Sequence, residues 1–324
     1  MTVRTGAVDR WFVNRQPRPE APVALLCLPY GGAGPSAFRE WPAAFGAGVD
    51  VAALALPGRE NRYHEPPDFA LAEVADAVAR RAGARSFALY GHSMGGRIAV
   101  EVVHELHRRG GPLPVRLFLG GTRAPDLPDP FAGLSTASDA EVLDALYPLG
   151  GVPAEVLAEP ELRELLLPVI RADLRWLDGN PPSRRPVPVP LSVFAGVDDP
   201  VAGPGTMLGW LGYVGAGFAL RTEPGDHFFL HSGLHRLVAA IGAELAGSGR
   251  PQAWPADDEL HLWLAAGADP GAALRRVVDR YPGGPSDVDT VGAAVSVGGT
   301  VAVVLTRGHE AVAVPRLTMW TVSA

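Results

Sequence analysis

The chain has 324 residues, 47% of them hydrophobic, and a formal net charge of −7 at pH 7. This length fits one large domain plus a small addition, and the apolar content is ample for a buried core. The negative charge argues against nucleic acid and anionic membranes as partners, and the single cysteine excludes both an intrachain disulfide and a cysteine-based metal site.

The compartment is predicted from the cysteine and from the N-terminus. Cys27 lies in an apolar run, which indicates a small buried side chain in a reducing environment. Residues 1–22 form a polar, proline-interrupted segment without the apolar core of a signal peptide. No stretch approaches the ~20 apolar residues of a membrane span. We therefore expect a cytoplasmic monomer that contacts no membrane.

The first half of the chain alternates between strand-like and helix-like segments. Continuous apolar runs, typical of parallel strands buried on both faces, occur at 23–28, 49–56, 86–90 and 115–119. Helical periodicity occurs at 71–82 and 97–107, with a shorter candidate at 37–45. In the 97–107 helix, His104 and His107 are predicted to lie on the exposed face. This alternation indicates βαβ units.

The alternation stops after the middle of the chain. Residues 124–185 contain no strand-like run, but 138–147 and 160–177 have helical periodicity. Ser138 or Asp139 is placed to cap the first of these helices, and Glu161 is placed near the start of the second. A helical insertion between two sheet strands is typical of a lid over a site, so residues of about 124–185 are hereafter called the lid.

Strands resume at 191–195 and 218–222, followed by a helix at about 230–246. The sequence therefore predicts an α/β fold, a mostly parallel central sheet with helices on both faces, over residues 23–247. A linker-like break at 247–251 precedes residues 252–324, which are predicted to form a small α+β appendage of unknown role. Its elements are predicted as a helix at 270–281 and strands at 293–297, 300–306 and 310–322.

The pentapeptide Gly91-His92-Ser93-Met94-Gly95 matches G-x-S-x-G and lies between a predicted strand and a predicted helix. A serine on so sharp a turn has strained backbone angles, and its close neighbours must lack side chains. The motif favours Ser93 as a nucleophile. The alternative is a serine without a catalytic role in a tight strand–helix turn.

A serine nucleophile needs a general base, and the base needs an orienting carboxylate. In this motif's context the chain order is serine, acid, histidine. Asp199 follows the strand at 191–195 and is the preferred acid, with its neighbour Asp198 as the rival. His227 follows the strand at 218–222 and is the preferred base, while its rival His231 falls inside the next helix.

Acyl transfer also needs hydrogen-bond donors for the oxyanion. The backbone N–H of Met94, directly after the nucleophile, is one candidate. Gly31, in the glycine-rich loop after the first predicted strand, is the other. The alternative for residues 29–34 is a tight turn without a catalytic role.

Several stretches together carry a resemblance to a known family. They are Leu28-Pro29-Tyr30-Gly31-Gly32-Ala33-Gly34, Leu56-Pro57-Gly58-Arg59-Glu60-Asn61-Arg62, Gly91 to Gly96, Gly225-Asp226-His227-Phe228-Phe229 and Ile170-Arg171-Ala172-Asp173. From about residue 23 to 246 the chain resembles the type II thioesterases of polyketide and nonribosomal-peptide assembly lines, within the α/β-hydrolase fold. The family often has P-H-A-G-G where this chain has Pro29-Tyr30-Gly31-Gly32-Ala33.

The resemblance implies a stand-alone editing enzyme. It would release stalled or wrong acyl groups from the phosphopantetheine thiol of acyl or peptidyl carrier proteins, through Ser93, Asp199 and His227 and an acyl-enzyme. We expect no cofactor and no metal, because the substrate itself brings the phosphopantetheine. A product-releasing thioesterase, a carboxylesterase and a non-catalytic carrier-binding protein remain alternatives.

Three arginines lie on loops near the predicted mouth of the site: Arg59, Arg62 and Arg123. They are candidates for contact with an acidic carrier protein or with the pantetheine phosphate. The alternative is a solvated rim or a structural ion pair, such as Arg59 with Glu60.

Overall fold

The computed structural model describes residues 9–150, 159–216 and 218–246, together with four strand segments beyond them. The strands are β1 (Phe12–Val13), β2 (Val23–Leu28), β3 (Val49–Leu54), β4 (Phe87–His92), β5 (Leu117–Gly120), β6 (Leu191–Gly196), β7 (Phe218–Glu223), β8 (Glu259–Ala265), β9 (Val295–Val297), β10 (Thr300–Ala302) and β11 (Arg316–Val322). The helices are α1 (Trp41–Phe45), α2 (Leu71–Ala82), α3 (Met94–Arg108), α4 (Asp139–Leu146), α5 (Pro160–Gly179), α6 (Pro204–Met207), α7 (Phe229–Ser232) and α8 (Leu234–Leu245).

The central sheet confirms the predicted α/β fold class. Its first seven strands lie in the order β1-β3-β2-β4-β5-β6-β7. Strands β2 to β7 are parallel, and β1 is antiparallel to β3. Strand β2 pairs with β4 through Leu28 and Gly91 at their carboxyl ends. The loop after β2 and the turn after β4 therefore leave the sheet side by side, where open parallel sheets bind ligands.

Apolar residues cover both faces of the sheet, as continuous apolar strands require. Along β2, Leu26 and Leu28 belong to the core under α2 and α3, whereas Leu25 and Cys27 belong to the core under α1 and α8. Cys27 is fully buried, as predicted. The sheet is therefore a rigid central layer from whose edge the loops project.

The helix at 71–82 has its predicted bounds, but other elements differ. Helix α3 begins at Met94, because the elbow turn leads directly into the helix. The predicted helix at 230–246 is two helices, α7 and α8, which meet at Gly233. The short helix predicted at 37–45 is a 3₁₀ turn followed by α1.

The N-terminal segment contributes more to the fold than its composition indicated. Trp11 and Phe12 are buried, and Phe12 and Val13 pair with β3. The guanidinium of Arg62 lies 4.5 Å from the centre of the Trp11 ring, which is a cation–π contact. Residues before the first parallel strand thus complete one edge of the core.

The described part of the lid contains helices and no strand, in agreement with the prediction. Ser138 caps α4: its side chain accepts a hydrogen bond from the N–H of Glu141 at 3.3 Å. Val142 of α4 packs with Leu167, Ile170 and Leu174 of α5 in a small core of their own. The lid therefore has a small core of its own, and Trp176 of α5 also packs into the core of the sheet.

The C-terminal region is described only as strands β8 to β11. Strand β11 pairs antiparallel with β7 and parallel with β8, so these two strands continue the central sheet. Strands β9 and β10 pair with each other. The predicted helix at 270–281 lies outside the described residues.

Candidate active site

The turn between β4 and α3 holds Ser93 in a conformation that few residues other than glycine adopt. Its backbone angles are φ 53° and ψ −119°. A Cβ on Gly91 would come within 2.4 Å of the carbonyl oxygen of Gly95, so a side chain there has no room. A Cβ on Gly95 would come within 2.2 Å of the carbonyl oxygen of Leu28. The glycines of the motif thus let the elbow form against β2.

A histidine and a carboxylate meet beside this turn. The Nδ1 of His227 lies 2.7 Å from Oδ2 of Asp199, and both side chains are buried. The other oxygen of Asp199 accepts hydrogen bonds from the N–H groups of Val201 and Ala202 at 2.8 and 2.9 Å. Asp198 is exposed. Of the two neighbouring aspartates, Asp199 therefore contacts the histidine.

These contacts keep Asp199 ionised. Burial alone would raise its pKa, but the hydrogen bonds from His227, Ala202 and Val201 hold the pKa below its ordinary value. A carboxylate can only accept, so the Nδ1 of His227 carries the proton. Its Nε2 is buried and has no hydrogen-bond partner among the described residues. That nitrogen is therefore the acceptor left for a proton from a substrate or nucleophile.

The rival histidine, His231, lies elsewhere in the site. It is in α7, where its Nε2 is 3.2 Å from the hydroxyl of Tyr30. Burial lowers its pKa below the ordinary value. Both His231 and Tyr30 line the same cavity as Ser93 and His227. The structure thus leaves His231 at the wall of the cavity and away from Asp199.

A further histidine, His92, contacts the backbone of His227. Its Nε2 lies 2.7 Å from the carbonyl oxygen of His227, and its Nδ1 lies 3.0 Å from the hydroxyl of Tyr90. Burial and the neighbouring His227 lower the pKa of His92 from 6.5 to about 3. The neutral ring therefore donates to the backbone of His227 and accepts from Tyr90. His92 was not among the predicted site residues, although it stands inside the serine motif.

The oxyanion candidates lie at the ends of neighbouring strands. Met94 is the first residue of α3, and none of the hydrogen bonds among the described residues uses its N–H. The same holds for Gly31, which is exposed and lines the cavity with Ser93. The N–H of the next residue, Gly32, donates to Oδ2 of Asp173 at 2.7 Å. The N–H of Gly31 therefore remains available in the cavity that Ser93 lines.

Two of the three arginines predicted at the mouth are buried, so a carrier-protein contact is wrong for them. Arg59 makes a two-pronged ion pair with Asp173 of α5, at 2.8 and 2.7 Å, and not with Glu60. Arg62 pairs with Glu65 at 2.5 Å and donates to the carbonyl of Ala55.

The third arginine, Arg123, is half-buried. It donates to the carbonyl oxygen of Val201, in the loop that follows Asp199. Its guanidinium is thus used within the protein, like those of the other two.

A cavity of about 970 Å³ joins these residues to the lid. Ser93, Met94 and His227 line its sheet side. The lid side is lined largely by aliphatic side chains of α5, including Leu166, Val169, Ile170 and Leu174. Its outer part contains polar and charged groups, among them Ser36, Arg39, Glu40 and Glu60. The described residues contain no group of three or more His, Cys, Asp or Glu side chains placed to hold a metal ion.

A parallel sheet of this order, with a serine at the elbow after β4 and a buried Asp–His pair after β6 and β7, defines the chain as an α/β-hydrolase. Comparison with known proteins narrows the class. The sequence profile of the thioesterase domain matches residues 23–245. The chain belongs to the thioesterase family and is a serine hydrolase that acts on thioesters.

Several of its relatives come from peptide and polyketide biosynthesis, and others are thioesterases of animal fatty acid synthase. The gramicidin S biosynthesis protein GrsT of Aneurinibacillus migulanus is 32% identical over 242 residues, 74% of this chain and 94% of that protein. RedJ, a thioesterase of the Streptomyces coelicolor prodiginine pathway, is 36% identical with a TM-score of 0.63, covering 72% of this chain and 94% of RedJ. YbtT, the type II thioesterase of the yersiniabactin pathway, is 25% identical with a TM-score of 0.63, covering 74% of this chain and 100% of YbtT.

No helix in the described part of the chain combines the length and apolar character that crossing a bilayer needs.

Proposed function

We propose that this chain is an editing thioesterase, which hydrolyses stalled or incorrect acyl groups from the phosphopantetheine thiol of acyl or peptidyl carrier proteins. The observation that carries the proposal is the buried Asp199–His227 pair: its histidine lines the same cavity as Ser93 and has an Nε2 without a hydrogen-bond partner among the described residues. The relationship to type II thioesterases of assembly lines supports a carrier-bound substrate.

The proposed mechanism begins with proton transfer. The Nε2 of His227 takes the proton of the Ser93 hydroxyl as its oxygen attacks the thioester carbonyl. In this mechanism the Ser93–His227 hydrogen bond tightens when the substrate binds, since catalytic hydrogen bonds are often long in the free enzyme. The N–H groups of Met94 and Gly31 stabilise the negative charge that develops on the carbonyl oxygen.

The second half of the mechanism releases both products. The carbon–sulfur bond breaks, and the imidazolium of His227 protonates the pantetheine thiolate. His227 then takes a proton from water, whose oxygen attacks the acyl-Ser93 ester. The tetrahedral intermediate expels Ser93, which recovers its proton from His227. This sequence uses no metal or cofactor of the protein's own.

The two sides of the cavity fit the two ends of such a substrate. Aliphatic residues of α5 offer an apolar wall to an acyl chain, because burying its methylene groups releases about 0.8 kcal/mol each. The polar outer part, near Ser36 and Glu60, suits the amide groups of the pantetheine arm. We therefore place the acyl group under the lid and the carrier protein outside the mouth.

A deacylation experiment tests this proposal. The panel contains one carrier protein loaded with acetyl, propionyl, butyryl or aminoacyl groups, and p-nitrophenyl esters of the same acids as controls. Wild-type protein is expected to favour the carrier-bound thioesters, and Ser93→Ala is expected to lower kcat by about 10⁵-fold or more. Ser135→Ala, in the lid at a half-buried position outside the cavity, is the matched control.

Three outcomes would contradict the proposal. A Ser93→Ala variant that still deacylates the carrier would exclude the serine mechanism. Faster turnover of the aryl esters than of the carrier-bound thioesters would indicate a carboxylesterase. Absence of a fluorophosphonate adduct on Ser93 in the folded protein would indicate a non-catalytic carrier-binding protein.

A further inference from the structure

The loop that presents Gly31 has little means of holding its own shape. Residues 29–34 include three glycines, and glycine backbone is the most costly to order. Gly32 has a φ of +78°, in the left-handed region. Inside the loop, one turn hydrogen bond joins the N–H of Ala33 to the carbonyl of Tyr30, at 3.1 Å. Other parts of the chain must therefore fix the position of Gly31.

Helix α5 of the lid supplies much of that support. Asp173 accepts the N–H of Gly32 at 2.7 Å, and the side chain of Ile170, one helical turn earlier, lies against the same glycine. A Cβ on Gly32 would be 3.3 Å from Cγ1 of Ile170, which shows how closely helix and loop approach. One face of α5 thus rests on the loop at the residue next to Gly31.

Arg59 completes the contact from a third part of the chain. Its Nη1 donates both to Oδ2 of Asp173, at 2.8 Å, and to the carbonyl oxygen of Ala33, at 3.1 Å. Its Nη2 donates to Oδ1 of Asp173 at 2.7 Å. The side chains of Arg59 and Asp173 are 4% and 3% exposed. The pair is therefore buried, and it holds the loop at the N–H of Gly32 and at the carbonyl of Ala33.

The charge balance suits a neighbouring oxyanion. A carboxylate alone beside Gly31 would repel the negative charge of the tetrahedral intermediate. The bidentate guanidinium neutralises that carboxylate and orients it, so Asp173 can hold the Gly32 N–H without this penalty. A buried ion pair is weak evidence for stability, since desolvation offsets much of its attraction. Its position against the loop indicates a role in positioning.

We propose that Asp173, held by Arg59, is a positioning residue for the oxyanion hole: it fixes Gly32 so that the N–H of the adjacent Gly31 faces the reacting carbonyl. Because Asp173 belongs to the lid helix, the same contact ties the lid to the catalytic edge of the sheet. This inference rests on the proposed role of Gly31 and Ser93, and it concerns any acyl substrate, whether thioester or ester.

The test compares variants by kcat and KM. Asp173→Ala is expected to lower kcat about 100-fold, and Asp173→Asn about 10-fold, because the amide oxygen still accepts the Gly32 N–H. The KM is expected to stay within about threefold, since the interaction acts in the transition state.

Asp139→Asn is the matched control. Asp139 pairs with Arg171, two residues from Asp173, but that pair joins lid segments without touching the loop. Its kcat is expected to stay within about twofold of wild type.

A double variant separates loss of the positioning contact from loss of the fold. Arg59→Met with Asp173→Leu removes both charges at similar volume, which buried ion pairs often tolerate. It is expected to remain folded by circular dichroism and still to lose about 100-fold in kcat, because Gly32 has lost its acceptor. A kcat within about twofold of wild type in this variant or in Asp173→Ala would overturn the inference, even if the melting temperature of the variant were lower than that of wild type.

Two substrates keep this test separate from the proposed function. Each variant is assayed with an acyl-pantetheine thioester and with the matching p-nitrophenyl ester. Parallel losses on both support the positioning role even if the carrier specificity is wrong. Unchanged kcat on both substrates, with Ser93→Ala inactive, would refute the positioning role alone.

Discussion

The two sides of the cavity are held by different physical means. The sheet side places Ser93, Asp199 and His227 at the carboxyl ends of β4, β6 and β7, directly on the buried core. The lid side consists of helices with a small core of their own, joined to the loop after β2 by the Arg59–Asp173 pair. Apolar packing fixes the first side, whereas the second is held by its own small core, by Trp176 of α5 in the core of the sheet and by polar contacts.

This difference indicates which side of the cavity can move more easily. Residues at the ends of buried strands move only if the sheet itself deforms, and close-packed cores resist that. A helical layer with a smaller apolar contact can shift more easily, by sliding of packed helices. We therefore expect substrate entry to involve the lid side, while the sheet side sets the geometry of proton transfer. Three predictions test the sheet side of this comparison.

The largest expected effect is at the acid. Asp199→Asn is expected to lower kcat about 10³- to 10⁴-fold, because an amide cannot hold the His227 tautomer whose Nε2 accepts the serine proton. Its Oδ1 can still accept the N–H groups of Val201 and Ala202, so the fold should persist. The measurement is kcat on acyl-pantetheine from about pH 6 to about pH 9, a range in which a histidine base changes its protonation.

Asp198→Asn is the matched control, one residue away and exposed. Its kcat is expected to stay within about twofold of wild type, since surface substitutions rarely alter a buried site. A larger loss in Asp198→Asn than in Asp199→Asn would show that the acid is assigned to the wrong residue.

A smaller loss is expected at the elbow glycine. A Cβ on Gly95 would lie 2.2 Å from the carbonyl oxygen of Leu28 and 2.5 Å from that of Pro29, so Gly95→Ala must push α3 away from β2. We expect a loss of about 1–3 kcal/mol in the free energy of unfolding, as for other overpacked cores. Separation of the two oxyanion donors should also lower kcat about 10- to 100-fold.

Urea denaturation and steady-state kinetics measure these two effects. The control is Gly48→Ala, where an added Cβ meets nothing within 4 Å. It is expected to change stability by less than about 0.5 kcal/mol. If Gly95→Ala were as stable and active as Gly48→Ala, the sheet side would be more compliant than its packing indicates.

The sequence was informative about the sheet side and much less so about the lid side. Ser93, Asp199 and His227 each follow an apolar run, and parallel strands bring their carboxyl ends to one edge, so their grouping was predictable. The choice between the neighbouring residues Asp198 and Asp199 was not predictable, because it depends on which of the two side chains the turn buries. That choice depends on the N–H groups of Val201 and Ala202.

The lid contacts depend on pairs that are remote in the chain. Arg59 and Asp173 are 114 residues apart, and no local pattern joins them. The sequence offered Glu60 as the nearer partner, but Glu60 accepts hydrogen bonds from the N–H and hydroxyl of Ser36. His104 was predicted on an exposed helix face and is buried. Pairing between layers follows from tertiary packing, which periodicity within one helix does not describe.

The smallest expected effect is the decrease in the free energy of unfolding as the pH is lowered. The pKa of His92 falls from 6.5 to about 3 in the folded protein, and that of His104 to about 4. The unfolded chain therefore binds more protons below pH 6.5, and stability falls as the pH is lowered through that range. The lowered pKa of Asp199 acts mainly below about pH 4, so within the catalytic site the loss of stability above that pH comes from the histidines.

Urea unfolding at about pH 7 and about pH 5 measures this loss, of which His92 is expected to contribute roughly 2 kcal/mol. In His92→Gln the side-chain amide still donates to the carbonyl of His227 but does not titrate, so the pH dependence should decrease by that amount. His107→Gln, on the exposed end of the same helix as His104, is the control and should keep the wild-type dependence. Equal pH dependence in wild type and His92→Gln would mean that protonating His92 does not loosen the strand ends, and that the acid-sensitive contacts lie elsewhere.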